Sequence, residues 1–126
     1  MNPMDIRTRT TDYELTTEVS KYLDERIASI EKLLGKQAEL ARCEVELGRD
    51  AGRPRHGKNI YFAEIQIHYP GQALVRATNH SESVNGAIDD VKEEVERQLR
   101  REKKLHIRMW RKGGAALKGF MHSDQE

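Results

Sequence analysis

Between Arg97 and Lys112 stand eight basic residues against a single acid, Glu102. The stretch before them, Met1–Glu96, holds 13 Lys/Arg and 18 Asp/Glu, a balance of −5, so the net +1 of the chain hides a strong polarity. Clustered guanidinium and ammonium groups hold anions rather than break bonds, and the commonest large polyanion in a cell is nucleic acid. Their spacing sharpens the point. Val84, Ile88, Val91, Val95 and Leu99 recur every three to four residues and define the buried direction of a helix. Arg97, Arg101 and Lys104 fall on the opposite side, Arg100 lies beside them, and Arg108 joins the row if the helix continues. A line of cations rising about 1.5 Å per residue can follow a phosphate backbone.

An ordinary solvated helix end explains part of the same pattern. Glu93–Arg97 and Glu96–Arg100 are i,i+4 pairs, and cations near a helix C-terminus complement its dipole. That leaves Arg101, Lys103, Lys104, Arg108, Arg111 and Lys112 without a local acid other than Glu102, and polyanion binding is the reading that covers them. Trp110 and Phe120 lie in or beyond the run; aromatics among arginines can stack on unpaired bases. Equally, Leu105, Ile107 and Trp110 can fold back onto a sheet edge. Arg53, Arg55 and Lys58 form a second candidate contact or simply a hydrophilic loop.

Other chemistry is not called for. His56, His68, His80, His106 and His122 are scattered without ligand spacing, and the lone Cys43 cannot complete a thiolate site, so neither metal nor cofactor is expected. Gly48, Gly52 and Gly57 fall between strands rather than ahead of a helix, Asp89-Asp90 sits on a helix flank, and Ser81 and Ser83 are helix caps. An enzyme with a small-molecule substrate is not the expectation. A single cysteine excludes an intrachain disulfide and points to a reducing compartment. No apolar run reaches the roughly 18–20 residues of a membrane span, and Met1-Asn2-Pro3-Met4-Asp5 does not open a secretion signal; a cytoplasmic protein off the membrane is expected.

The elements that must position these residues are readable from periodicity. Ile6–Thr10 alternates as a short strand. Val19, Leu23, Ile27, Ile30 and Leu34 then share one helical face between a Thr16 cap and Gly35. Ala41, Cys43, Val45 and Leu47 alternate as a second strand, Gly48–Asn59 reads as a loop, and Ile60–Tyr69 is a third strand. Pro70-Gly71 turns the chain into a fourth strand, Ala73–Asn79, and the stripe from Val84 makes the last helix. The order β-α-β-β-β-α, with a helical crossover between the first two strands, predicts an α+β fold. It is a four-stranded mixed sheet with two helices packed on one face. Arg7, Arg9, Arg42 and Arg76 then share the outer sheet face with Glu44, Glu46 and Glu64. Gly113-Gly114 reads as a helix break, dividing residues 1–104, a binding domain, from a basic and flexible tail, 105–126.

Leu15-Thr16 leading into a helix that ends Ile30-Glu31-Lys32-Leu33 resembles the ribosome hibernation-promoting factor family, which includes the ribosome-associated translation inhibitors. So do Phe62-Ala63-Glu64-Ile65-x-Ile67 before Pro70-Gly71, then Ala87-Ile88-Asp89 and Glu96-Arg97-Gln98-Leu99. The resemblance runs from Ile6 to Lys104. It implies a partner, the small ribosomal subunit with its rRNA, occupied across the messenger and transfer RNA sites. Translation is thereby inhibited and idle ribosomes are preserved in stress or stationary phase. It also implies RNA contacts from Arg26 and Lys32 on the first helix and Arg97, Arg100, Arg101, Lys103 and Lys104 on the second. Arg108, Trp110, Arg111 and Lys112 are tail candidates outside the family's motifs. Ser83-Val84-Asn85 departs from the family's Asp-x-Tyr, keeping the cap and losing the ring. With 22 residues after Lys104, a short form lacking the additional C-terminal domain is expected. Two other readings stand beside this one: a general RNA-binding module or RNA chaperone, and a protein-interaction module docking an acidic partner.

Overall fold

The computed structural model describes residues 4–50, 60–71 and 74–121, the stretch 104–121 as backbone alone. Four strands form one sheet in the order β1-β2-β3-β4, namely β1 Asp5–Thr11, β2 Arg42–Arg49, β3 Tyr61–His68 and β4 Val75–Ser81. Helix α1, Thr17–Leu34, followed by a 3-10 segment Gly35–Leu40, crosses from β1 to β2, so those two strands run parallel and the rest is an antiparallel meander. Helix α2, Val84–Met121, follows β4. This is the expected β-α-β-β-β-α order and α+β class.

Register explains the core. Cys43, Ile67 and Val75 lie side by side across three strands, and Val45, Ile65 and Ala77 form the next row. All six point to the helices and are buried, as are Leu23, Ile27, Ile30 and Leu34 of α1 and Val84, Ile88, Val91, Val95 and Leu99 of α2. Each large aliphatic side chain so buried contributes about 1.5–3 kcal/mol, which fixes which faces of the helices are left for water. Thr16 caps α1 by accepting from the Val19 amide, and Gly35 ends it at φ +63°. Ser83 caps α2 through the Gly86 amide.

Three expectations need correction. Gly48 belongs to β2, not to the loop after it, pairing with Thr11 on one side and Phe62 on the other. A Cβ there would lie 2.3 Å from the Thr11 carbonyl oxygen, so glycine admits the close approach of the neighbouring strands. Strand β4 begins at Val75 and runs to Ser81, two residues later than alternation indicates at both ends. Finally, α2 passes through Gly113-Gly114 without a break and reaches Met121. A helical glycine costs only about 1 kcal/mol relative to alanine, and here strong helix formers flank the pair.

Candidate nucleic-acid interface

The two helices run parallel, since their contacts climb together along both. Tyr22 and Arg26 of α1 meet Asp89 of α2, Ser29 meets Glu96, and Leu33 and Leu34 share a groove with Leu99, Glu102 and Lys103. The groove measures about 220 Å³. Parallel packing brings the last turn of α1, with exposed Lys32, to the level of α2 where its cations begin.

On α2, Val95 and Leu99 point inward, Gln98 leans toward β4 by donating to the Arg76 carbonyl oxygen at 3.1 Å, and Glu96 faces α1. Arg97 therefore stands on the outer surface between those flanks, its side chain 61% exposed and paired with Glu94 one turn back. The i,i+4 pairing expected with Glu93 is thus replaced by an i,i+3 pairing. Arg100 is also exposed and reaches Glu96 at 3.5 Å, the pairing that the spacing anticipates. Arg101 and Lys103 are exposed and make no ion pair within 4 Å among the described residues. Arg97, Arg100 and Arg101 so form one cationic surface on the outside of α2, and exposed Lys103 adds a charge on its α1 flank, at the rim of the groove with Leu33 and Leu34. The side chains of Lys104, Arg108, Trp110, Arg111 and Lys112 lie outside the described residues; their backbone continues the same helix. The loop candidates Arg53, Arg55 and Lys58 also fall outside them.

Arg26 is placed differently from the others. Its Nε donates to Asp89 Oδ1 at 3.0 Å, and its guanidinium carbon lies 4.0 Å from the centroid of the Tyr22 ring. Tyr22 donates its hydroxyl to the same carboxylate at 2.7–2.8 Å. Burial pushes the Asp89 carboxyl up, but the bonds from Tyr22 and Arg26 together outweigh it and hold it below its ordinary value. The hydrogen bond to Asp89 raises the Tyr22 phenol in turn. Arg26 is one corner of an interhelical fastening, with about a third of its side chain exposed.

Asp89 does not stand out in the sequence as a carrier of the interface, nor does Glu96, which is 5% exposed. Ser29 donates to Glu96 Oε2 at 2.6 Å, while Lys92 and Arg100 sit 3.5 Å from Oε1. The signal was present: Asp89, Lys92, Glu96 and Arg100 recur at steps of three and four beside the apolar stripe, alternating in sign. A charged row that hugs a buried stripe marks the edge of a helix–helix contact.

The outer sheet face is self-neutralised, as its residue mix anticipates. Arg9 pairs with Glu46 at 3.0 Å, Arg76 with Glu64 at 2.6 Å and Arg42 with Glu44 at 3.1 Å. Hydrogen bonds from Thr11 and Arg9 hold the Glu46 carboxyl below its usual range. Cys43 is buried and its thiol is pushed up to about 12 by that burial, with Glu31 and Glu44 adding to it, so it does not supply a thiolate nucleophile. Among the described residues no group of His, Cys, Asp and Glu is arranged to hold a metal ion, and no helix is long and apolar enough to cross a membrane.

The model of the family described as Sigma 54 modulation protein / S30EA ribosomal protein matches residues 6–106. The chain belongs to that family. It is a family of ribosome-associated modulation and interface proteins, the one whose resemblance the sequence carries. Among solved structures, the N-terminal domain of Protein Y from Thermus thermophilus superposes with a TM-score of 0.62 at 23% identity, over 78% of this chain and 98% of that one. A ribosomal subunit interface protein from Coxiella burnetii gives a TM-score of 0.62 at 12% identity, over 80% of this chain and 99% of that one. At these identities the two likenesses speak to the fold. No curated protein sequence matches this chain.

Proposed function

We propose that this protein binds the small ribosomal subunit through rRNA phosphates, lies across the messenger and transfer RNA sites, and so inhibits translation while preserving idle ribosomes under stress. It would act in the cytoplasm, by occupancy rather than by catalysis. The observation that carries this reading is the cationic outer surface of α2, made by Arg97, Arg100 and Arg101 with Lys103 on its α1 flank, in a chain of this family. Lys32 joins that surface at the end of α1, while Arg26, fastened to Asp89 about two turns before Arg97, is a separate contact nearer the start of the seam. Lys104, Arg108, Trp110, Arg111 and Lys112 extend the contact along the same helix. Phosphate contacts of this kind position a protein without reading sequence, so RNA shape and site geometry select the target.

Cosedimentation with purified small subunits tests it. The wild-type chain should travel with the subunit and be displaced by transfer RNA but barely by random oligonucleotide. Arg97→Glu, Arg101→Glu and Lys104→Glu combined should abolish that binding without unfolding the domain. Equal displacement by random oligonucleotide would favour a general RNA-binding module, and undiminished binding by the folded triple variant would refute the assigned surface.

A further inference from the structure

Glu96 has an unusual position for a carboxylate on this chain. It is sunk in the seam between α1 and α2, with its side chain 7% exposed, where an aliphatic residue would fill the same space without loss of hydration. Its two oxygens do different things. Oε2 fastens the helices by accepting from Ser29 of α1 at 2.6 Å. Oε1 is turned to two cations of its own helix, Lys92 one turn before and Arg100 one turn after, each at 3.5 Å. Neither of those pairs adds to the interhelical contact. Arg100 is 58% exposed while Lys92 is 24% exposed, so the arginine stands at the mouth of the seam and the lysine is drawn into it, between Glu96 and Asp89. A flexible lysine or arginine ordinarily gives up side-chain freedom when it grips a phosphate; one already tethered gives up less.

We propose that Glu96 is a positioning residue, whose buried carboxylate fixes Lys92 and Arg100 along the α1–α2 seam as a preformed pair of phosphate contacts, Lys92 being a contact that the basic run does not contain. The inference deepens the ribosome-binding reading and rests on it. Its signature separates it from a fastening role. Replacing Glu96 by glutamine leaves a partner for Ser29 and makes the domain one charge more positive. If the carboxylate only fastened the helices or screened charge, binding to every polyanion would hold or improve. If it positions, the folded surface loses its fit to the subunit while its non-specific attraction grows.

The experiment measures affinity for purified small subunits and for random single-stranded RNA across a salt series, with the wild-type chain, Glu96→Gln and Lys92→Gln. For Glu96→Gln the expected result is an approximately tenfold weaker subunit complex, against tighter random-RNA binding whose salt slope steepens by about 0.7. For Lys92→Gln both affinities fall and the random-RNA slope flattens by about 0.7. Subunit binding by Glu96→Gln equal to or tighter than wild type overturns the proposal. So does subunit binding by Lys92→Gln that equals wild type, and this variant decides alone should Glu96→Gln not fold. Failure of the wild-type chain itself to bind subunits would instead sink the ribosome reading, and this role with it.

Discussion

If the outer surface of α2 is what meets RNA, the salt dependence of binding counts its cations. Arg97, Arg100 and Arg101 on that surface and Lys103 on its α1 flank are four exposed basic residues whose side chains are described there. Each phosphate neutralised releases condensed counterions, and for largely single-stranded or irregular RNA the slope of log affinity against log salt is about −0.7 per contact. These four contacts contribute about −2.8 to the slope, so affinity for the small subunit should fall at least about fifty-fold between 50 and 200 mM monovalent salt. Arg97→Gln with Arg101→Gln removes two contacts, making the slope shallower by about 1.4 and the fall about sevenfold smaller. The control is Arg9→Gln with Arg76→Gln, which subtracts the same charge from the sheet face, where both arginines are already paired with glutamates. Fluorescence anisotropy of labelled protein titrated with subunits reads all three. An unaltered slope in the helix variant, or an equal flattening in the sheet variant, would show that charge in general, and not this surface, drives association.

Two further predictions concern what holds the surface in place. A double-mutant cycle on Tyr22→Phe and Asp89→Asn, read by urea unfolding, should give a coupling of about 1 kcal/mol, modest because Asp89 is nearly half exposed. Because the Asp89 carboxyl is held below its ordinary value, its stabilisation is complete above that ordinary value and is lost as pH falls through the depressed one. The Tm deficit of Asp89→Asn should therefore shrink as thermal melts are taken below about pH 4, and a deficit constant with pH would exclude the charged pair as its source. Gly48→Ala should cost about 2–3 kcal/mol, because its Cβ would meet the Thr11 backbone carbonyl, which cannot rotate away. Gly71→Ala, strained only by φ +76° with nothing near its Cβ, should cost about 1 kcal/mol; equal losses in urea titrations would contradict the packing account.

Local periodicity made most of this fold legible. The steps of Leu23, Ile27, Ile30 and Leu34, and of Val84, Ile88, Val91, Val95 and Leu99, are properties of a single segment, and burial follows them directly. Cys43, Val45 and Leu47 alternate because one face of β2 is covered, and that too is local. What escaped depends on who the neighbour is. Gly48 reads as a loop glycine until Thr11 and Phe62 close on it from either side. Glu96 reads as a solvated acid paired with Arg100 until Ser29, distant in the chain, reaches its other oxygen. Arg26 reads as a free cation until Asp89 and Tyr22 claim it. The cations of α2 were legible because their disposition follows from the stripe alone; the carboxylates that hold some of them were not.

The quiet sheet face has a consequence for how fast and in what orientation this molecule meets a charged target. With Arg9, Arg42 and Arg76 each cancelled by a glutamate beside it, the far side of the domain exerts little pull, while α2 from Arg97 onward keeps its field. At physiological ionic strength that field reaches only about 8 Å, so it acts in the last moments of a diffusive approach. There it applies a torque, rotating the domain until α2 leads. If α2 is the surface that meets RNA, collisions that arrive sheet-first should not be captured, leaving the molecule free to tumble and try again rather than dwell in a wrong pose.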